Sequence, residues 1–504
     1  LNAGWYIAFF DVPSKGKKPV QSDRDQQPNR VVIVGGGLAG LSAAVYLLKE
    51  SQGRFQVRVL EAAPHLGGQA ASWLKHGRAE EMGIHLDFPW YTNKLRLYED
   101  VGQPLELVQT DGHYYICNGQ TGKVDKLVSG VQTGSTGVWA AFSAVSRAFY
   151  GLWNFPGLTK RESWWVLRFV FKLLRMTTAE IDRCDEPVDD YLRRMGATEN
   201  LVKQLSLATV TIQGVRIHNA SAASFMKFLK ASYGCTTPMN PAFFTRPTGE
   251  ALIAPLERFI REQGGEIRVA EPVQTITVDD QRLSITTVNG QLPCDYIILA
   301  MPGYLVPPLL PDRYRSDPAF APLAKLSSGQ VITLTLWYDD TWFPDHNVYI
   351  SNREGVIFDA VADKARHWKN PAEKGGAVQV LIDAAEDVAD WSDDRILEQS
   401  LADLARFFPP TKYPRPERPA AWSIIRHRNI YCETRPGYWQ IVPNTHETPI
   451  PNLYLAGDYT AGLYHYGMES AVISGKETAN LIRAKRGLPE HPKVPVSFLP
   501  FVRR

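Results

Sequence analysis

The stretch from Val31 to Glu61 constrains this chain more than any other. Four β-branched residues, Val31-Val32-Ile33-Val34, run straight into Gly35-Gly36-Gly37-Leu38-Ala39-Gly40 and then into an apolar run from Leu41 to Glu50. Strand, glycine turn and helix in that order predict a dinucleotide-binding βα unit. Each glycine has its own physical reason: Gly35 permits the tight turn, Gly37 lets the backbone approach a pyrophosphate, and Gly40 lets helix pack on strand. The helix start, with Leu38 and Ala39, offers free N–H groups to phosphate. A second strand, Phe55 to Leu60, ends at Glu61, about 20 residues after Gly40, where a carboxylate can accept both hydroxyls of a ribose.

The rest of the chain must cover such a unit, and its composition permits a large core. The chain has 504 residues, of which 44% are hydrophobic and 21% charged, which excludes disordered and collagen-like classes and gives a prior of about three domains. With 55 Lys and Arg against 53 Asp and Glu, the net charge is +2, so no global field attracts nucleic acid. The five cysteines, Cys117, Cys184, Cys235, Cys294 and Cys432, lie far apart. They suggest no disulfide framework and no metal site, and so an intracellular protein, cytoplasmic or peripheral to a membrane. No apolar run reaches the ~18 residues of a spanning helix. Residues 1–30 read as an N-terminal arm without the features of a signal peptide.

Two remote stretches look like parts of the same nucleotide unit. Residues 249–278 read as a helix from Glu250 to Gln263, a Gly264-Gly265 stop and alternating strands, and residues 294–302 as a strand with a loop exit. The expected fold is α/β: a discontinuous Rossmann-like domain from 31–100, 241–305 and 445–486, with an inserted α+β, helix-rich substrate domain from 101–240 and 306–444 and a tail at 487–504.

Two further motifs name the chemistry. Pro64-His65-Leu66-Gly67-Gly68-Gln69 follows Glu61, and near the C-terminus Leu455-Ala456-Gly457-Asp458-Tyr459-Thr460 leads to Tyr464-His465-Tyr466-Gly467-Met468-Glu469-Ser470-Ala471-Val472-Ile473-Ser474-Gly475-Lys476. In these the chain resembles the FAD-dependent amine oxidase and carotene desaturase superfamily, most closely the plant and cyanobacterial phytoene and ζ-carotene desaturases, from about residue 31 to 485. The resemblance implies FAD. It places Gly67, Gly68 and Gln69 near the diphosphate, Val273 on the adenine side, and Gly457, Asp458, Met468 and Glu469 at the flavin. The residues agree: Asp458 can accept a hydrogen bond from a ribityl chain, and a helix starting near Met468 aims its positive end where reduction leaves negative charge.

This chain also departs from the pattern. Gln69 stands where the family has a cation, Ala251 where phytoene desaturases have Arg, and the segment Glu81-Met82-Gly83-Ile84-His85-Leu86-Asp87-Phe88-Pro89 lacks two aromatics and a glycine. Glu81, His85 and His465 are the polar candidates for catalysis beside the expected flavin face; for any single one, a hydrogen-bonded place in the framework is the commoner role for such a residue.

Outside the cofactor motifs the strongest signal lies between Trp139 and Met176, rich in Trp, Phe and basic residues. On a helix from Glu162 to Met176, Arg168, Lys172 and Arg175 form one stripe beside Trp164 and Trp165. Such a helix can lie in a bilayer interface, or pack in a core with its cations reaching water. The resemblance implies dehydrogenation of a long apolar isoprenoid, with electrons passed to a quinone or other acceptor. Rival readings are an oxygen-using amine oxidase, a redox-neutral flavin isomerase or dehydroxylase, and an inert flavin-binding membrane scaffold.

Overall fold

The computed structural model describes residues 27–110, 113–128, 146, 149–236, 241–279, 282–369, 375–460, 467–499 and 501–503. His465, with its neighbours Tyr464 and Tyr466, and most of the aromatic stretch before Phe149 lie outside these residues, as does most of the N-terminal arm.

The centre is a five-stranded parallel sheet in the order Leu453–Leu455, Tyr296–Leu299, Asn29–Val34, Phe55–Leu60, Glu266–Arg268. Strands remote in sequence therefore lie side by side, and the core strand residues are almost wholly buried, as expected of a parallel sheet covered on both faces. The helix Leu38–Leu48 leaves the first strand through the glycine turn, and every one of its residues is buried. The helix Met468–Lys485 packs directly on it. A Cβ on Gly475 would stand 2.1 Å from the Ala39 carbonyl oxygen, and the Ser42 hydroxyl donates to the Val472 carbonyl at 3.0 Å, so the two helices approach at backbone distance.

A second sheet has seven strands, in the order Ala421–Cys432, Ser328–Tyr338, Gly376–Ile382, Ala360–Asp363, Val348–Ser351, His113–Asn118, Lys123–Val128. All its pairings are antiparallel except that of Val348–Ser351 with His113–Asn118. The helices Lys160–Leu174, Val188–Arg194, Glu199–Gln213 and Ala222–Gly234 share one hydrophobic cluster. The sequence reading anticipated helices here but did not single out the strands of this sheet. The expected helix from Glu250 begins instead as a π-turn, Gly249–Ile253, and becomes α-helical only at Ala254–Glu262. The basic aromatic helix starts two residues earlier than expected. Thr159 and Glu162 form a capping box there, each side chain bonding the other residue's backbone N–H.

Candidate functional site

A cavity of about 750 Å³ opens along the carboxyl ends of the parallel strands and continues between the seven-stranded sheet and the helices. Its first half is built by backbone. The loop Gly35–Gly37 and the loop Gly67–Gly68 are zipped together, with the Gly67 N–H donating to the Gly36 carbonyl at 2.9 Å. Gly35 has φ +113° and no room for a side chain, since a Cβ would stand 2.2 Å from the Ala300 oxygen. Gly37 differs: with φ −78°, its Cβ would meet nothing nearer than 4.0 Å beyond its chain neighbours. The space beside it is open cavity, as a cradle for a diphosphate requires.

Glu61 fastens this loop while facing the cavity. One carboxylate oxygen accepts from the Gly36 N–H at 2.7 Å, and the other from Ala63 N–H at 2.8 Å. Asp458 lines the same cavity beside Gly457 and Met468. Burial pushes its carboxyl up to about 6, although backbone N–H groups of Gly467 and Tyr459 favour the charged form. Two helix N-termini, at Leu38 and Met468, open on this wall. A glycine cradle, two positive helix ends and two carboxylates at the cavity wall fit FAD in chemistry and in space.

Of the residues expected at the cofactor, Gly35, Gly37, Leu38, Ala39, Glu61, Gly67, Gly68, Gln69, Val273, Gly457, Asp458 and Met468 line the cavity. Gly40 does not, because it serves packing: its Cβ would stand 2.0 Å from the Gly35 oxygen. Glu469 is also placed elsewhere. Its carboxylate accepts from the backbone N–H groups of Asn93 at 2.9 Å and Lys94 at 2.8 Å, the first turn of Thr92–Asp100, a helix without a side-chain cap of its own.

Among the catalytic candidates, His85 lines the cavity and Glu81 does not. Glu81 is buried, pairs with the buried Lys364 ammonium at 3.0 Å and accepts from the Thr248 N–H at 2.8 Å, so its charge is already matched within the framework. His85 Nε2 lies 2.9 Å from the Gln69 carbonyl, which can only accept, while Nδ1 is buried. Burial and the Lys364 charge hold the imidazole down at about 4. Behind it His427 is likewise held at about 4, by burial and by His85.

Within the altered 86–89 segment, Leu86 and Phe88 line the cavity while Asp87 turns away. Asp87 makes a fully buried pair with the Lys94 ammonium at 2.5 Å. The beyond-flavin half of the cavity is walled by apolar side chains, among them Phe155, Phe169, Phe225, Val348, Ile350 and Leu381. Sequence reading missed one polar member of this half, Asp383, although it ends an apolar strand just as Glu61 does. Among the described residues, no cluster of three or more His, Cys, Asp or Glu is placed to hold a metal ion.

The helix Lys160–Leu174 forms part of this wall, with Val166, Phe169 and Val170 facing the cavity. Trp164, Arg168, Phe171, Lys172 and Arg175 are exposed on its other side, and Trp164 and Phe171 are more than half exposed. Trp165 departs from the expected stripe: it stacks on Phe169 and donates its indole N–H to the Met195 carbonyl at 3.0 Å. Among the described residues no helix is long and apolar enough to cross a membrane.

A family model described as flavin containing amine oxidoreductase matches residues 38–483. The 15-cis-phytoene desaturase of Synechococcus elongatus is 26% identical over 482 residues, which cover 91% of this chain and 96% of that protein. The ζ-carotene desaturase of Synechocystis sp. is 24% identical, over 91% of this chain and 98% of its own. Among solved structures, cyclohexylamine oxidase from Brevibacterium oxydans superposes with a TM-score of 0.67 at 15% identity, covering 91% of this chain and 99% of that one. Putrescine oxidase bound to putrescine does so with a TM-score of 0.68 at 17% identity and the same coverage. At such identities the solved structures establish a shared fold.

Proposed function

From the premise that the chain belongs to the flavin-containing amine oxidoreductase family and is an FAD-dependent oxidoreductase, we propose that it desaturates a long apolar isoprenoid and passes the electrons to a quinone. One observation carries this reading: the cavity that begins at the glycine cradle continues into a long apolar chamber. The carotene desaturases among its relatives act on substrates of that character by their names.

FAD, when bound, supplies a two-electron acceptor for hydride. Gly37, Gly67 and Gly68 admit its diphosphate, Glu61 accepts from a ribose, Val273 borders the adenine, and Asp458 takes the flavin side. In the reaction one carbon loses hydride, its neighbour loses a proton, and a C=C bond forms between them. His85 is the residue we favour to receive the proton, since its imidazole is neutral at pH 7 and lines the cavity. The apolar walls hold the substrate and exclude water.

Such a substrate comes from lipid. The helix Lys160–Leu174 is the membrane face in this reading: its inner side walls the cavity, and its outer side carries Trp164, Phe171 and three cations. The test is to incubate the FAD-loaded protein with liposomes containing an isoprenoid hydrocarbon and a quinone. Mass spectrometry should show a product lighter by two hydrogens, formed with one quinol per double bond. Unchanged hydrocarbon over many hours, with FAD bound, would refute it.

A further inference from the structure

We propose that the apolar half of the cavity contains a subsite for one hydroxyl group, formed by Asp383, so that the isoprenoid bound there is an alcohol rather than a pure hydrocarbon. The inference rests on the isoprenoid reading and narrows its substrate class.

Asp383 follows the strand Gly376–Ile382. Side chains alternate along a strand. Ile382 joins a hydrophobic cluster with Ile332, Ile357 and Ile396 on one side of the sheet, while Leu381 and Asp383 line the cavity on the other. Asp383 is only 8% exposed. Its backbone is fully occupied: the N–H donates to Asp359 Oδ2 at 2.8 Å, and the carbonyl accepts from Arg216 at 3.3 Å and Arg353 at 3.0 Å. Among the described residues, no hydrogen bond or ion pair engages its carboxyl group, which faces the cavity. Open to the cavity, the carboxyl is available to a hydrogen-bonding group of a ligand.

The neighbourhood decides which ligand. Both guanidinium groups are directed at Asp359, with Arg216 at 3.3 Å and Arg353 at 3.5 Å, so their attraction favours a charge on Asp359, whose carboxyl burial nonetheless raises to about 7. Burial and that adjacent charge raise the Asp383 carboxyl well above the usual range. A carboxyl group so placed accepts from a hydroxyl, and when protonated donates to one as well, a match for an alcohol. An ammonium group would need a carboxylate and would meet two nearby arginines instead.

The experiment compares a C20 polyprenyl alcohol with the hydrocarbon of the same chain, each in detergent micelles, binding to the FAD-loaded protein by quenching of tryptophan fluorescence. The parent should bind the alcohol about ten-fold more tightly or better. Asp383→Leu should remove that preference while retaining FAD and hydrocarbon binding. Infrared difference spectra should show a carboxylic acid band, absent in Asp383→Asn, that shifts on adding the alcohol and not the hydrocarbon; this readout serves even where the Leu variant fails to fold. Equal binding of the two ligands by the parent, a preference surviving in Asp383→Leu, or an unmoved acid band would each overturn the subsite while leaving the isoprenoid reading standing. Binding of neither ligand would overturn both.

Discussion

Two glycines two residues apart in the same turn make opposite predictions. A side chain at Gly35 collides with the Ala300 carbonyl and meets a φ of +113°, so Gly35→Ala should lower stability by about 1–3 kcal/mol and lose FAD with the fold. Gly37 has an ordinary φ and open space. Gly37→Val should therefore leave the melting temperature of FAD-free protein within a few degrees of the parent and abolish the yellow colour on purification. A Gly37→Val protein with stoichiometric FAD would contradict the cradle. Asp458 adds a pH signature. A carboxyl raised from 3.8 to about 6 binds its proton more firmly folded than unfolded, so its contribution is intact below pH 4 and lost as pH rises through 6, roughly 3 kcal/mol at most. In denaturant titrations of FAD-free protein, Asp458→Asn should exceed the parent in stability at pH 7 and converge with it by pH 4, while binding FAD more weakly. These residues were legible in the sequence because their reasons are local: a φ angle, a missing Cβ, an acid at a strand end. Glu469 was not, because its partner Asn93 stands 376 positions away, and no local pattern distinguishes a carboxylate for a flavin from one that caps another helix.

At the level of elements, the helix Lys160–Leu174 shows what periodicity can and cannot disclose. The i, i+4, i+7 spacing of Arg168, Lys172 and Arg175 placed them on one face, and all three are exposed. Spacing alone could not tell that Trp165 turns inward to Met195, since the direction of the face depends on which neighbour the helix packs against. Replacing Arg168, Lys172 and Arg175 by Gln should weaken sedimentation with anionic liposomes, each cation contributing roughly 1 kcal/mol near the surface, and Trp164→Ser with Phe171→Ser should weaken binding to neutral liposomes as well. FAD content should not change, and because the opposite face walls the cavity, turnover on micellar substrate should persist. Undiminished liposome binding by both variants would make this face a solvated wall of the core. The seven-stranded sheet escaped the sequence reading for a related reason. Its strands come from residues 113–128 and 328–432, and pairing across such separations is encoded in burial against partners that only the folded chain brings near.

For the molecule as a whole, the cavity imposes a shared route. Its walls are continuous from the glycine cradle to the apolar chamber beneath the helix Lys160–Leu174, so on the proposed reading isoprenoid and quinone would reach the flavin end through the same space and in turn. Double-reciprocal plots against isoprenoid and quinone should consequently be parallel, with the quinone inhibiting competitively at high concentration. Product formation on isoprenoid-loaded liposomes should depend on added quinone and be slow in air alone. Small primary and secondary amines test the opposite possibility raised by the fold of the amine oxidases. An ammonium group entering this chamber would find mostly apolar side chains, and a buried charge without a partner is costly. Such amines should neither bleach the flavin anaerobically nor yield peroxide in air. Rapid bleaching by a simple amine, with isoprenoids inert, would assign the cavity to amine oxidation, whereas FAD that is firmly bound and photoreducible yet unresponsive to amines and isoprenoids alike would make the protein a flavin-holding scaffold.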